Sequence, residues 1–303
     1  MTGALVPGAR IVCLGDVMVD IVARLSGPVE IGSDRPARTE LQAGGSAANT
    51  AAWLEHQAVS TTLLARVGSD VLGSWSLARL GRGLAKDVSI DPGTPTGTCI
   101  VLVSADGERT MVPDPGANAA LSPAHVRPDV FAPTRHLHVS GYALFSGARE
   151  AAVHALSMAR QARMTISVGA ASVAPLRGLG VEAFFDLIGR DLLLFANRAE
   201  ATLLTGQEDP FIAATVLSTR VGRAVVTDGA GTAIWADGDE RAQAPAPPGT
   251  IVIDTTGAGD AFAAGKLAAL AQGATPVDAL AQAHQLAAQA CELVGGRPPA
   301  PGR

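Results

Sequence analysis

The chain has 303 residues, enough to bury a large core, and its 48% hydrophobic content includes few aromatics, so Ala, Val, Leu and Ile must build the interior. A net charge of −5 argues against a nucleic-acid coat, which demands a basic face; no apolar run reaches the ~18 residues of a membrane span. Cys13, Cys99 and Cys291 are odd in number and far apart, which favours three buried thiols over a disulfide framework or a zinc site, and the first residues lack the pattern of a signal peptide, so a cytoplasmic protein is expected.

Ile11–Leu14 is a continuous apolar run, the pattern of a strand buried on both faces of a parallel sheet. Beyond Gly15, Asp16, Met18 and Asp20 alternate with Val17, Val19 and Ile21, which puts both acids on one strand face. Such a face suits a polyhydroxylated ligand, and equally an exposed strand surface. Gly44-Gly45 opens a helix to about His56. A strand near Thr62–Arg66 and a helix near Leu72–Gly83 follow. Gly97–Val103 and Arg109–Val112 read as a hairpin turning at Ala105-Asp106-Gly107. After Pro115, strands at His136–Ser140, Thr165–Val168, Leu192–Phe195, Ala224–Thr227 and Ile251–Ile253 alternate with helices, ending in two helices near Ala261–Gln272 and Val277–Val294 and a tail from Pro298.

This alternation predicts an α/β fold with a doubly wound, mostly parallel sheet flanked by helices. The strands within about 17–42 and 97–112 do not fit that core and read as a small β-sheet lid. Without an internal repeat or linker, a single domain over 1–303 is expected.

The densest chemistry lies in Asp254-Thr-Thr-Gly-Ala-Gly-Asp260, at a strand-to-helix junction. Gly257 and Gly259 let backbone N–H groups turn outward, and a helix start favours an anion. Thr255 or Thr256 can cap the helix. Asp260 falls in its first turn, where the dipole should keep it ionised and ready to take a proton. A P-loop is absent: Gly259 to Gly265-Lys266 has five intervening residues and no following hydroxyl. No third glycine completes a dinucleotide fingerprint. Asn197-Arg-Ala-Glu200 matches a helix capping box. His136 and His138 share a strand face, but no third ligand lies near enough in sequence to argue for a metal. Lys266, two turns beyond Asp260, reads as a solvent-directed lysine.

Asp254–Asp260 resembles the C-terminal signature of the ribokinase-like (PfkB) carbohydrate kinases, and Gly44-Gly-Ser-Ala-Ala-Asn49 their N-terminal double-glycine signature. Gly116-Ala-Asn118, Asn197–Glu200 and Thr227-Asp-Gly229 fall between them in the family's order. The resemblance covers about residues 10–296. It implies a kinase using ATP and Mg²⁺, with Asp260 as general base and the Gly257, Ala258 and Gly259 amides as an anion hole. It implies substrate contacts from Asp20, Gly44, Gly45 and Asn49. Nucleotide contacts would come from Asn197, Thr227, Gly229, Gly231, Thr256 and His284. Asn197 and Glu200 would organise Mg²⁺ through water, and Asp254 a monovalent cation such as K⁺. The sequence departs from the family pattern at Gly169, where a carboxylate is expected, and at Lys266, where an apolar residue is commoner. Ser46 stands where sugar kinases can carry a lysine.

The implied partner is a small sugar: ribose, fructose or a ketodeoxy sugar acid. A nucleoside is the alternative, its base needing an aromatic platform that only Tyr142 and Phe145 could supply. Arg109 is available from the hairpin, or is simply a lid surface charge. A homodimer through the lid edges is also expected. Outside this class stand a catalytically silent sugar sensor, whose mark would be loss of the base or of the glycine turn, and a nicotinamide oxidoreductase, disfavoured by the missing fingerprint.

Overall fold

The computed structural model describes residues 8–104, 109–132 and 136–299; the expected turn at Ala105-Asp106-Gly107 and the end of the tail lie outside them. In chain order the first half holds β1 (Ile11–Leu14), β2 (Met18–Leu25), β3 (Ala37–Gly44), α1 (Ser46–His56), β4 (Thr61–Gly68), α2 (Val71–Leu77), β5 (Ala85–Asp91), β6 (Gly97–Val103), β7 (Arg109–Asp114) and α3 (Pro128–Phe131). The second half holds β8 (His136–Val139), α4 (Arg149–Gln161), β9 (Thr165–Gly169), α5 (Val173–Leu179), α6 (Val181–Ile188), β10 (Leu192–Asn197), α7 (Arg198–Thr205) and α8 (Pro210–Val221). It closes with β11 (Gly222–Thr227), β12 (Thr232–Asp237), β13 (Glu240–Pro245), α9 (Ala258–Ala271) and α10 (Pro276–Cys291).

Nine strands form one sheet in the order β13-β12-β11-β10-β9-β8-β1-β4-β5. It is parallel from β5 to β11 and antiparallel at β12 and β13. The apolar run of β1 is explained by its central place. Val12 and Leu14 join the core under α4 to α8, whereas Ile11 and Cys13 join the one under α1, α9 and α10. The chain leaves β1 toward β4 and β5 on one side and returns through β8 on the other. Strands β1 and β8 therefore flank the switch point, and ligands in such sheets bind at the carboxyl ends beside it.

The second sheet has the order β3-β2-β6-β7 and comes from the two expected excursions. On one face Met18, Val22, Cys99, Val101 and Val103 form a small apolar cluster; on the opposite face Leu41, Ile21, Ile100 and Val112 lie in one row across all four strands.

Several expectations fail. Ile251–Ile253 is not a strand but an exposed bend, because the N–H groups of Ile253 and Asp254 bond Cys291 O at the end of α10 rather than a strand. The helix expected to Gly83 stops at Leu77, and β2 begins only at Met18. Lys266 does not reach solvent: it is fully buried, its ammonium donating to Pro276 O at 3.0 Å and standing 5.6 Å over the Trp235 ring. Of the thiols, Cys13 and Cys99 are buried but Cys291 is only partly so. Among the described residues no helix is long and apolar enough to cross a membrane.

Candidate active site

A cavity of about 710 Å³ opens at the β1–β8 switch point between the main sheet and the lid. Its focus is the start of α9. Gly257 adopts a positive φ of 74° and any Cβ there would strike the backbone of Gly296, so only glycine makes this turn. The expected threonine cap is absent: Gly257 is the N-cap and no side chain bonds the helix start. Ala258 N–H donates to Thr255 O at 3.3 Å, while the Gly257 and Gly259 N–H groups have no acceptor among the described residues. Two donors and a helix dipole thus face the cavity, the provision an anion needs.

Asp260 stands beside these donors. Ser46 Oγ donates to its Oδ1 at 2.7 Å and Asn49 Nδ2 to its Oδ2 at 2.9 Å. It shows some surface to the cavity but is otherwise enclosed by protein. Burial raises its pKa to about 7, against the opposing pull of the Asn49 and Ser46 bonds, with Asp16 and Asp20 adding to the rise. Desolvation is thus the main influence on the carboxylate that the sequence places in the first helical turn. An acid with this pKa exchanges protons near neutral pH.

The two acids expected on one strand face divide their work. Asp16 precedes β2 and accepts from Ser46 N at 2.9 Å, Ala47 N at 3.3 Å and Ser140 Oγ at 3.0 Å, capping α1 across the Gly45 turn. Asp20 is only 5% exposed, lines the cavity and has no hydrogen-bond donor among the described residues. Burial raises its pKa to about 6, although Arg297 pulls it down. A buried carboxylate without donors is costly unless a ligand supplies them. Gly44 packs against this carboxylate, Gly45 has a positive φ of 95° with its would-be Cβ on Asp16 backbone, and Gly45, Asn49 and Thr50 line the cavity. The Thr50 hydroxyl is buried without a partner among the described residues.

At the far end of the cavity Asn197 and Glu200 cap α7 reciprocally, as the capping box predicts. Glu200 N donates to Asn197 Oδ1 at 2.9 Å, and Asn197 N to Glu200 Oε2 at 2.9 Å. Thr227 and Thr256 also line it. Gly229, Gly231 and His284 do not. The glycines lie in the turn beyond β11, and His284 is buried behind β12, its Nε2 3.1 Å from both Ala233 N and Ala244 O. Arg109 is no lid surface charge: it reaches across to Asp254 Oδ1 at 2.5 Å and donates to Thr255 Oγ1 at 2.9 Å. Nor is the histidine pair a metal site. Ser167 Oγ joins His136 Nε2 and His138 Nδ1 at 2.8 Å each, and burial holds both imidazoles neutral, His138 at a pKa of about 4.

Residues 9–303 match the model of the pfkB family of carbohydrate kinases. The chain belongs to that family. It is a phosphotransferase whose acceptor is an alcohol group. It is similar to an ATP-dependent ribose-1-phosphate kinase of Halopiger xanaduensis, 29% identical over 271 residues covering 86% of this chain and 84% of the relative. Among solved structures it resembles a probable sugar kinase of Rhizobium etli, 26% identical with a TM-score of 0.87 over 96% of each chain. It also resembles the adenosine kinase of Sinorhizobium meliloti, 25% identical with a TM-score of 0.85 over 96% of each chain.

The family's ions meet different fits in this kinase. No cluster of three or more His, Cys, Asp or Glu among the described residues could hold a metal by itself. Asn197 and Glu200 are bonded to each other, Nδ2 to Oε1 at 2.7 Å, so they suit a Mg²⁺ ion carried on nucleotide phosphates and reached through water. A monovalent cation at Asp254 does not fit. Its carboxylate already accepts from Thr256 N at 2.7 Å and Gly295 N at 3.1 Å and carries the Arg109 guanidinium.

Sequence reasoning missed the contacts of Ser46 and Arg297 and the free state of Asp20. Arg297 lay next to an expected tail, and its signal was a lone arginine after two glycines. It donates to Gly44 O at 2.6 Å, Ser76 O at 3.2 Å and Asn49 Oδ1 at 3.3 Å.

Proposed function

We propose that the chain is an ATP-dependent kinase that phosphorylates a hydroxyl of a small neutral sugar, with Asp260 as the general base. One observation carries this reading: Asp260, with a pKa near neutrality, sits between the free N–H groups of α9 and the donor-less carboxylate of Asp20. Acceptor hydroxyls donate to Asp20 and meet Asn49 and Gly45, while Gly44, which does not line the cavity, backs the Asp20 carboxylate. One hydroxyl is thereby aimed at Asp260, which accepts its proton as the new oxygen–phosphorus bond forms and the bond from the γ-phosphorus to the bridging oxygen breaks, releasing ADP. The N–H groups of Gly257 and Gly259 receive the charge that builds on the transferring phosphoryl group; Ala258, expected to join them, has its N–H bonded to Thr255 O and is given no such role. Asn197, Thr227 and Thr256 face the nucleotide, with Asn197 and Glu200 placed for the Mg²⁺ that supplies charge neutralisation on its phosphates when bound. We assign no contact to Gly229, Gly231 or His284, and no step to K⁺.

Charge selects the acceptor. Asp16, Asp20 and Asp260 line the cavity, and its arginine, Arg109, is already paired with Asp254. A ketodeoxy acid or sugar phosphate would meet three carboxylates against one further cation, the buried Arg297, so ribose or fructose fits better than ketodeoxygluconate. A nucleoside is the second reading, favoured by Tyr142, Phe145 and Met111 on the cavity wall, which offer a base an apolar seat. We read both sheets as one domain, the smaller as its lid and as a homodimer face, and place the protein in the cytoplasm.

Turnover of ATP against ribose, fructose, ketodeoxygluconate, ribose 1-phosphate, adenosine and pseudouridine separates these readings. With the best acceptor, Asp260→Asn is expected to lower kcat by about 10²–10⁴-fold while KM changes little. In the wild type, kcat/KM should rise with pH through about 7, as Asp260 loses its proton. Near-normal turnover by the asparagine variant would remove Asp260 from the chemistry.

A further inference from the structure

We propose that Arg297 is a positioning residue for the base, fixing the Asn49 amide so that it can only donate to Asp260. This rests on the reading of Asp260 as the base. An asparagine amide has a donor end and an acceptor end, and nothing in the side chain itself decides which way it lies. Arg297 is donor-only, and its Nε faces Asn49 Oδ1 at 3.3 Å. Turning the amide over would set its NH₂ against the guanidinium, donor against donor, and leave its oxygen facing the Asp260 carboxylate. The guanidinium is itself locked. Its two Nη atoms donate to Gly44 O at 2.6 Å and to Ser76 O at 3.2 Å, tying the foot of β3 and the end of α2 to the same group.

The segment that delivers Arg297 is anchored by two hydrogen bonds to distant parts of the chain. Gly295 N donates to Asp254 Oδ2 at 3.1 Å, and Trp53 Nε1 donates to Gly296 O at 2.9 Å. Gly296 also fills the space beside Gly257. The segment thus touches the anion-hole turn, helix α1 and the lid root within three residues.

Arg297 acts by charge as well as by geometry. Burial lowers its pKa only to about 10, so it stays protonated at neutral pH. Its charge faces Asp20, Asp16 and Asp260, with Arg79 opposing it. The other groups around Asp260 are Cys13 from β1, Tyr142 beyond β8, and Ser46 and Asn49 from α1. Within this set Arg297 is the cation; its direct pull on Asp260 is weaker than on Asp20 and Asp16, and it acts on the base chiefly through the Asn49 amide.

The test needs no acceptor. The chain has three asparagines, Asn49, Asn118 and Asn197, so ¹⁵N-asparagine labelling gives three resolvable side-chain amides. Between pH 5 and 9 the Asn49 NH₂ signal should follow Asp260, with a midpoint near 7 in the wild type. In Arg297→Met that midpoint is expected to rise by about half a pH unit or more. Arg297→Gln, which keeps an N–H donor beneath Gly44 and tolerates burial, should show the same rise, and Arg297→Lys, which restores the charge, should move it back. A midpoint unchanged in the methionine and glutamine variants while their thermal midpoints fall would make Arg297 a purely structural residue and overturn the proposal. Failure of the base reading is separate: it appears as turnover surviving Asp260→Asn, whatever the Asn49 titration does.

Discussion

A buried ammonium costs free energy unless its charge is offset, and at Lys266 the offset is thin: one carbonyl bond and the face of Trp235. Burial, with Arg223 adding repulsion, lowers its pKa to about 7. The folded value lies below the unfolded one, so the native state binds fewer protons from about pH 7 to 10.5, and stability rises with pH through that window. Lys266→Met, near in volume and free of charge, is therefore expected to stabilise the fold at pH 6 by about 1–3 kcal/mol, with the gain shrinking toward pH 10. Calorimetric melting at the two pH values checks this; a variant that melts lower at pH 6 would show the carbonyl bond outweighing the desolvation. The sequence concealed this residue because α9 is half alanine, its remainder almost wholly Gly, Leu and Phe, and offers no polar face by which an inward position could be told from an outward one. Asp260 was legible as a base from the motif, but the environment that brings its pKa to about 7 was not. Its two donors are 211 and 214 residues away along the chain, beyond the reach of any local pattern.

Among the elements, β9 ends in Gly169 where the family pattern leads one to expect a carboxylate. That glycine lines the cavity, and a Cβ built on it would meet nothing within 4 Å. Gly169→Asp should accordingly fold as the wild type does and reduce the Mg²⁺ concentration needed for half-maximal turnover several-fold, since a second carboxylate would join Glu200 and the phosphates in holding the ion. An unchanged Mg²⁺ requirement in a folded variant would place the ion elsewhere. Of the parallel strands of the main sheet, β1 and β10 could be read from the unbroken apolar run that burial on both faces leaves, whereas the edge strand β5, Ala85–Asp91, went unforeseen because Lys86, Asp87 and Ser89 break its apolar pattern. The antiparallel pair β12 and β13 could not: Glu240–Pro245 carries Glu, Arg, Gln and Pro, and pairs only because β12 lies alongside. Ile251–Ile253 erred in the opposite direction, a β-branched run with no strand beside it. Strand propensity is realised only on a pleated surface with neighbours, and here Cys291 O takes the backbone donors instead.

At the scale of the whole molecule, the outer face of the lid carries Leu41, Ile21, Ile100 and Val112 in a row, and Leu41, Ile100 and Val112 are about half exposed. An apolar row across four strands is a surface that a second copy could cover. Light scattering at micromolar concentration should give twice the chain mass, and Ile100→Asp should return it to the monomer with the cavity intact; a monomeric wild type would dismiss the lid as an interface. The doubly wound sheet and the lid's two excursions were both foreseeable, whereas the closing of Arg109 onto the Asp254 turn was not, because it depends on how the two sheets face each other. Helices α1 and α9 pack together in one apolar core to which Ala47, Ala48 and Ala51 of the first and Ala261 and Ala264 of the second contribute only methyl groups, all without exposed surface. This methyl-thin seam is what lets Ser46 and Asn49 touch Asp260. The acidity of one oxygen pair is thus set by a spacing between two rods, and a branched side chain wedged into that seam would detune the chemistry without touching a reacting atom.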